Sequence, residues 1–181
     1  ISPRSAIPRP LLRAAAPQVR PEIPGLVSSM LGEQYLAMER TAKAKELFDR
    51  ALEENPKLGI AREQRAQIAI QEGDNARVVS LLEPLFARIQ DRYEVLAPLG
   101  EAYFRQGDFA KAAEVLEKAL PLRRPQPELL NALASSQYRL QNPARALELF
   151  EQSLALEPNQ PEVREVVEKL KAERASSKPD R

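Results

Sequence analysis

The chain has 181 residues, of which 43% are hydrophobic and 29% are charged, a composition typical of a folded globular protein. Its 27 basic and 26 acidic residues give a formal net charge of +1, so no global field attracts nucleic acid or an anionic membrane. The chain contains no Cys and no His, which excludes disulfides, cysteine nucleophiles and histidine acid–base chemistry and removes the usual zinc ligands.

The first 24 residues differ from the rest of the chain. They hold six of the sixteen prolines, and their charged residues are Arg4, Arg9, Arg13, Arg20 and Glu22. Such a stretch buries too little apolar surface to fold alone, so residues 1–24 are predicted to be a Pro/Arg-rich linker or extended N-terminal segment. The chain begins at Ile1 rather than Met, which we interpret as a sign of processing or of a piece of a larger polypeptide.

The six glycines of the chain recur with a period of 34 residues. The pairs are Gly25 with Gly59, Gly73 with Gly107 and, at twice the period, Gly32 with Gly100. A fixed period of this length indicates a repeat array. It divides the chain into four abutting repeats, over residues 25–58, 59–92, 93–126 and 127–160.

Each repeat is predicted to form two short amphipathic helices joined by a tight turn. In repeat three, Leu96, Leu99 and Tyr103 recur with the spacing of one buried helix face. Gly107 can then end the first helix in the left-handed conformation, and Asp108 can cap the second. The same turn chemistry recurs at Gly73-Asp74 and, with proline at the first helical position, at Asn142-Pro143.

Repeat two is the least regular of the four. Arg65 stands at a position where the other repeats have leucine. Pro84 falls inside the second helix, where proline removes a helical hydrogen bond, so we expect a kink there.

After repeat four, an apolar stripe lies among charged residues and consists of Val163, Val166, Val167 and Leu170. This pattern predicts a capping helix over residues 161–175, because the last repeat of an array needs a cover with a polar outer face. Residues 176–181 are predicted to be a disordered tail.

Large, small and aromatic residues recur in a fixed order within the repeats. In repeat one they are Leu31, Gly32, Tyr35, Ala44, Phe48, Ala51 and Pro56. In repeat three they are Leu99, Gly100, Tyr103, Ala112, Leu116 and Ala119. This order resembles the tetratricopeptide repeat family. The resemblance implies an all-α fold, an α–α superhelix or solenoid of four helix-turn-helix repeats followed by the capping helix of residues 161–175.

In the family, a partner peptide usually lies along the concave wall that the first helices form. By phase with the family, the predicted groove residues are Ser29, Glu33, Leu36, Glu63, Gln67, Ile70, Ala97, Glu101, Phe104, Asn131, Ser135 and Tyr138, with Arg105 and Arg139 at the rim. Large apolar residues recur at one of these positions. They either pack between neighbouring helices, which is the commoner role, or accept apolar side chains of a bound peptide.

Acidic residues also recur on the predicted inner wall, at Glu33, Glu63 and Glu101. Chaperone-binding members of the family place cations there to hold a terminal carboxylate, so we do not expect that mode of recognition. The acids either solvate the helices or attract a basic segment. One such segment is residues 1–24, from the same chain or a neighbouring one.

These observations predict a non-catalytic protein–protein interaction scaffold or adaptor that binds a partner peptide or protein in its groove. The alternative is a homo-oligomerisation module, in which the N-terminal segment or a repeat edge contacts a neighbouring chain. We expect no cofactor, no metal and no enzymatic activity, because no nucleotide-binding or catalytic motif is present. We also expect no nucleic-acid partner, since the inner wall is acidic, and no membrane span, since no apolar run approaches about 18 residues.

Overall fold

The computed structural model describes residues 23–89 and 91–176. Within these ranges the chain is all-α, with nine α-helices and a single 3-10 turn at Leu120–Leu122. The helices are α1 Leu26–Ala37, α2 Thr41–Glu54, α3 Gly59–Glu72, α4 Asn75–Phe86, α5 Tyr93–Gln106, α6 Phe109–Ala119, α7 Pro127–Arg139, α8 Pro143–Leu156 and α9 Pro161–Ser176.

The helices pack as consecutive pairs, α1 with α2, α3 with α4, α5 with α6 and α7 with α8. The second helix of each pair also packs on the first helix of the next pair, and α8 packs on α9. First helices meet directly as well, α1 with α3 and α5 with α7. The chain is therefore an α–α superhelix of four helix-turn-helix repeats, in which the first helices line the inner side.

The turn between the two helices of each repeat uses a left-handed residue. Gly73 and Gly107 adopt φ values of +71° and +81°, as the sequence predicted. In repeats one and four the same repeat position carries Glu39 and Gln141, with φ values of +61° and +62°. All four repeats thus share one turn geometry, although only two of them have the glycine that adopts it without strain.

Side-chain caps follow the turn in repeats two and three. Oδ1 of Asp74 accepts a hydrogen bond from the backbone N–H of Arg77 at 2.9 Å, and Oδ1 of Asp108 accepts from Lys111 at 3.1 Å. These carboxylates satisfy amides that have no partner within the helix. The Asn142 side chain makes no such cap, and its Nδ2 instead donates to Oε1 of Gln137 at 2.9 Å.

Helices of one pair approach each other closely at a glycine. A Cβ atom on Gly100 would lie 2.5 Å from Cγ and Cδ2 of Leu116, and one on Gly32 would lie 2.8 Å from the Phe48 ring. Leu116 and Phe48 are fully buried. The small residues therefore set the spacing between α5 and α6 and between α1 and α2.

The apolar core consists of two clusters. The larger extends from Ala66 on α3 to Leu170 on α9. The smaller lies between repeats one and two and contains Ala44, Phe48, Ala51, Ala61 and Ile68. Leu52 packs against both clusters.

A charged cluster joins repeats one and two. Arg65 is buried, with 6% of its surface exposed, although repeat three has the apolar Leu99 at the same position. Its Nε donates to Oδ1 and Oδ2 of Asp49 at 3.2 and 3.3 Å, and Nη2 of Arg77 donates to the same carboxylate. The buried guanidinium is thus held by an anion from the preceding repeat, as a buried charge must be.

Pro84 does not break α4, which continues as an α-helix to Phe86. Because proline has no N–H, the carbonyl oxygen of Ser80 lacks its usual helical partner. Nη1 of Arg62 donates to the carbonyl oxygens of Ser80 and Leu81 at 3.3 and 3.4 Å. Arg62 on α3 therefore replaces the hydrogen bond that Pro84 removes.

The last helix, α9, covers repeat four with one side. Val167 and Leu170 are buried against the core, and Val163 and Val166 pack at its edge. Nζ of Lys171 pairs with Oε1 of Glu151 on α8 at 3.0 Å. The predicted segments 1–24 and 176–181 fall mostly outside the described residues. Among the helices of the described ranges, none is both long enough and apolar enough to cross a membrane.

Candidate functional site

The predicted groove residues all lie on the first helices α1, α3, α5 and α7. They do not form one continuous surface. Ser29 and Ala97 are buried, so these two cannot contact a partner. Of the others, five line a cavity at the C-terminal end of the inner wall and three line a smaller one in repeat two, whereas Glu33, Leu36, Glu101 and Asn131 line neither.

The larger cavity has a volume of about 710 Å³ and brings together five predicted groove residues. They are Phe104, Arg105, Ser135, Tyr138 and Arg139. The sequence interpretation missed the other lining residues, which are Gln106, Gly107, Phe109, Phe150 and Val166. Repeats three and four and the capping helix therefore share this cavity, which we call the aromatic cavity.

Aromatic rings form much of its lining. The rings of Phe104 and Phe109 have centroids 6.0 Å apart and planes tilted by 59°, a favourable arrangement for two aromatic side chains. The Arg139 guanidinium lies 5.6 Å from the Phe109 ring centroid, within range of a cation–π contact. Phe109 is the first residue of α6. An aromatic residue directly after the Gly107-Asp108 turn is the sequence feature that could have identified it as a lining residue.

Two arginines give the rim of the aromatic cavity a positive charge. Arg105 is 55% exposed, and its Nη2 lies 3.7 Å from Oε2 of Glu101, too far for a hydrogen bond. Arg139 is also exposed. Burial raises the pKa of the Glu101 carboxyl, and the positive charge of Arg105 opposes that rise. The guanidinium of Arg105 is thus only weakly engaged and can meet a second anion.

The smaller cavity, of about 160 Å³, is lined by Glu63, Gln67 and Ile70 from the predicted set. Nη1 and Nη2 of Arg92 donate to Oε1 and Oε2 of Glu63 at 2.8 and 2.6 Å. The same hydrogen bonds raise the pKa of Arg92. This bidentate pair neutralises the acid that the sequence placed on the inner wall. Arg92 lies 29 residues after Glu63, at the end of repeat two and directly before α5.

The apolar residues that recur at one groove position are half-buried. Ile70, Phe104 and Tyr138 pack against the larger core cluster, and Leu36 packs against the smaller one. This arrangement supports the packing role that the sequence left as one of two alternatives. Phe104 and Tyr138 also line the aromatic cavity, whereas Ile70 lines the smaller one.

The last predicted residues are Glu33 and Asn131. Glu33 is half-buried on α1. Asn131 Nδ2 donates to Oε1 of Gln160 at 2.6 Å, so this amide ties α7 to the start of α9. Within residues 23–89 and 91–176, no group of three or more Asp or Glu side chains is placed to hold a metal ion.

Comparison with known proteins gives a consistent result. Models of the tetratricopeptide repeat match residues 29–77, 69–136 and 127–160. No curated protein matches the sequence. Among solved structures, MamA from AMB-1 is similar with a TM-score of 0.65 and 23% identity, over 74% of this chain and 73% of that one.

Two further structures share the fold. PilF from Pseudomonas aeruginosa has a TM-score of 0.57 and 25% identity, over 84% of this chain and 69% of that one. The APC/C hetero-tetramer Cut9–Hcn1 has a TM-score of 0.57 and 17% identity, over 82% of this chain and 30% of that one.

Proposed function

The chain belongs to the tetratricopeptide repeat family. We propose that it is a non-catalytic interaction scaffold and that it binds a peptide segment of a partner protein in the aromatic cavity. The observation that carries this proposal is the meeting of Phe104, Phe109 and Tyr138 with the two arginines of the rim. The peptide places an apolar side chain in the cavity and an acidic residue against Arg105 and Arg139.

The apolar part of this recognition follows from size and lining. A volume of about 710 Å³ lies within the range of roughly 300–1,000 Å³ found for ligand pockets. Phe104, Phe109, Phe150 and Val166 offer apolar surface, and the Tyr138 hydroxyl adds a polar group. A leucine or aromatic side chain of a partner is the natural occupant, since such anchors carry most of the binding energy at protein interfaces.

The acidic part follows from charge. Arg139 lies over an aromatic ring, and the nearest carboxylate to Arg105 is beyond hydrogen-bonding distance. Guanidinium groups bind carboxylates through paired hydrogen bonds, which gives both strength and orientation. The repeat-two end of the inner wall is less suited to a charged partner, because Glu63 and Arg92 already neutralise each other.

The test uses a phage-displayed library of random peptides, selected on the full chain. We expect enriched peptides to carry a Leu, Phe or Trp next to an Asp or Glu. Arg139→Glu should weaken the Kd of such a peptide by about tenfold or more, as should Tyr138→Ala. The matched control is Arg124→Glu, which reverses the charge of another exposed arginine, outside the cavity, and should leave the Kd unchanged.

Enrichment of peptides without an acidic residue, or equal weakening by Arg139→Glu and Arg124→Glu, would overturn the proposal. Circular dichroism of each variant separates lost binding from lost fold, because Arg139 is exposed and its replacement leaves the core intact.

The alternative function, homo-oligomerisation, requires that copies of the chain associate as the protein concentration rises. Light scattering over a range of concentrations distinguishes the two, since a scaffold that binds foreign peptides need not change its mass with concentration. The N-terminal face described next is the surface through which such association would proceed.

A further inference from the structure

An apolar face is exposed on the first repeat, along α1. It is formed by Val27, Met30, Leu31 and Met38, and Ile23 lies just before it; we call these residues the N-terminal face. They comprise five of the nine large hydrophobic residues that are exposed in the described part of the chain. Such a concentration of exposed apolar residues indicates a surface that another segment or molecule covers.

Comparison of the repeats shows what normally covers this face. Val27 is 61% exposed, whereas the residues at its position in the later repeats, Ala61, Val95 and Leu129, are buried. Leu31 is 47% exposed, whereas Arg65, Leu99 and Leu133 are buried.

In each later repeat, the covering element is the helix that comes directly before in the chain. Ala61 shares the smaller core cluster with Phe48 and Ala51 of α2, and α4 and α6 pack on α5 and α7 in the same way. In the described ranges, no helix precedes α1 to cover its face in the same way.

We infer that residues 1–22 of the same chain cover the N-terminal face, with Leu11 and Leu12 contacting Val27 and Leu31. The segment holds the apolar residues needed, Ile7, Leu11, Leu12 and Val19, and it joins the described chain at the edge of the face. This inference is independent of the proposed peptide binding, because the N-terminal face and the aromatic cavity share no residue, and it competes with the alternative in which a second copy covers the face.

Distance and connectivity favour the chain's own segment over a second copy. The stripe from Val27 to Met38 extends about 17 Å along α1, at 1.5 Å per helical residue. An extended chain advances about 3.3 Å per residue, so the residues just before Ile23 reach all of it. Attachment also gives the segment an effective concentration in the millimolar range, well above that of a separate molecule.

The absence of native cysteine allows a direct test, because a single introduced thiol is the only one in the protein. Leu31→Cys is placed in the full chain and its labelling rate with a maleimide is measured. The control is Leu156→Cys, on α8, whose native residue is 43% exposed in the described structure against 47% for Leu31.

If the segment covers the face, Leu31→Cys reacts about tenfold more slowly than Leu156→Cys, at every protein concentration. Adding Leu11→Asp and Leu12→Asp to the Leu31→Cys variant should then raise its labelling rate to that of Leu156→Cys. Because Leu31 is exposed in the described fold, its replacement leaves the core unchanged.

Three results would overturn the inference. Equal rates for the two single variants mean that the face is uncovered. Slow labelling that quickens on dilution, with a matching mass change in light scattering, assigns the face to a second copy. Slow labelling that Leu11→Asp and Leu12→Asp leave unchanged assigns it to another part of the chain.

Discussion

The hydroxyl of Tyr103 on α5 donates a hydrogen bond to Oε1 of Glu83 on α4, with 2.5 Å between the two oxygens. Nζ of Lys111 lies 2.9 Å from the same oxygen. The hydrogen bond from Tyr103, followed by that from Lys111, holds the pKa of Glu83 below its ordinary value. Burial, together with this hydrogen bond, raises the pKa of Tyr103. Repeats two and three are therefore joined by a charge-assisted contact as well as by their core.

Tyr103→Phe should lower the free energy of unfolding at neutral pH by about 1 kcal/mol, since a hydrogen bond to a charged but partly exposed carboxylate is lost. The folded-state pKa of Glu83 lies below its unfolded value. Its stabilisation is thus complete above the unfolded pKa and is lost as the pH falls through the folded pKa. Urea unfolding should show the difference between wild type and variant narrowing in acid. A difference that stays constant with pH would contradict this account.

Asp49→Ala should destabilise the junction of repeats one and two, because it leaves the buried Arg65 without its anion. Loss of one partner of a buried pair costs about 3–5 kcal/mol, and the 37% exposure of the Asp49 side chain reduces this to about 1–3 kcal/mol. Adding Arg65→Leu should recover most of the loss, because repeats one, three and four carry leucine at that position. Thermal unfolding of both variants measures the effect. Failure of the second change to restore stability would show that Asp49 acts mainly through Arg77.

Gly100→Ala should destabilise the protein by about 1–2 kcal/mol. The new Cβ would lie 2.5 Å from the buried Leu116 side chain, and this overpacking exceeds the gain of up to about 1 kcal/mol from better helix propensity. Gly59→Ala is the matched control, because its nearest neighbour, Cδ2 of Leu85, is an ordinary 3.6 Å away. Chemical denaturation should therefore give opposite signs for the two substitutions. Equal effects would mean that α5 and α6 can separate freely.

Gln141→Gly should stabilise the fold by about 0.5 kcal/mol. The left-handed conformation at φ +62° costs a residue with a Cβ about 1 kcal/mol, which the greater freedom of glycine in the unfolded chain partly offsets. The converse change, Gly107→Ala, should cost about 1 kcal/mol from backbone strain alone, because no atom lies within 4 Å of the new Cβ. Differential scanning calorimetry compares both with wild type, and a lower Tm for Gln141→Gly would refute the shared turn geometry.

The helix pairs and the glycine turns could be predicted from the sequence, because both depend on residues close together in the chain. Gly73 with Asp74 and Gly107 with Asp108 satisfy the turn locally, and the structure confirms their conformations. Glutamine has no local preference for this conformation, so only the repeat register, 34 residues after Gly107, points to it at Gln141. Adjacent elements of the superhelix impose it.

Contacts between repeats were the main features that the sequence left open. The acid at Glu63 was visible, but its partner Arg92 is the last residue of the same repeat, so the pair depends on how the start of α5 lies beside α3. Likewise, Phe109 enters the aromatic cavity only because α6 begins beside the end of α7. Such side-chain pairs depend on the angle at which neighbouring repeats stack. The spacing of residues within one repeat does not determine that angle.

The division of the core into two clusters predicts that repeat one opens separately from the rest of the molecule. Repeat one is connected to the others by a small apolar contact around Phe48, by Leu52, and by polar contacts that include the Asp49 carboxylate and the Lys45–Glu72 ion pair. Its amide protons should exchange with deuterium sooner than those of α5 to α8, through a partial opening that leaves the rest native. The N-terminal repeat would then act as a separate foldon, and its loss alone would shorten the scaffold without destroying it.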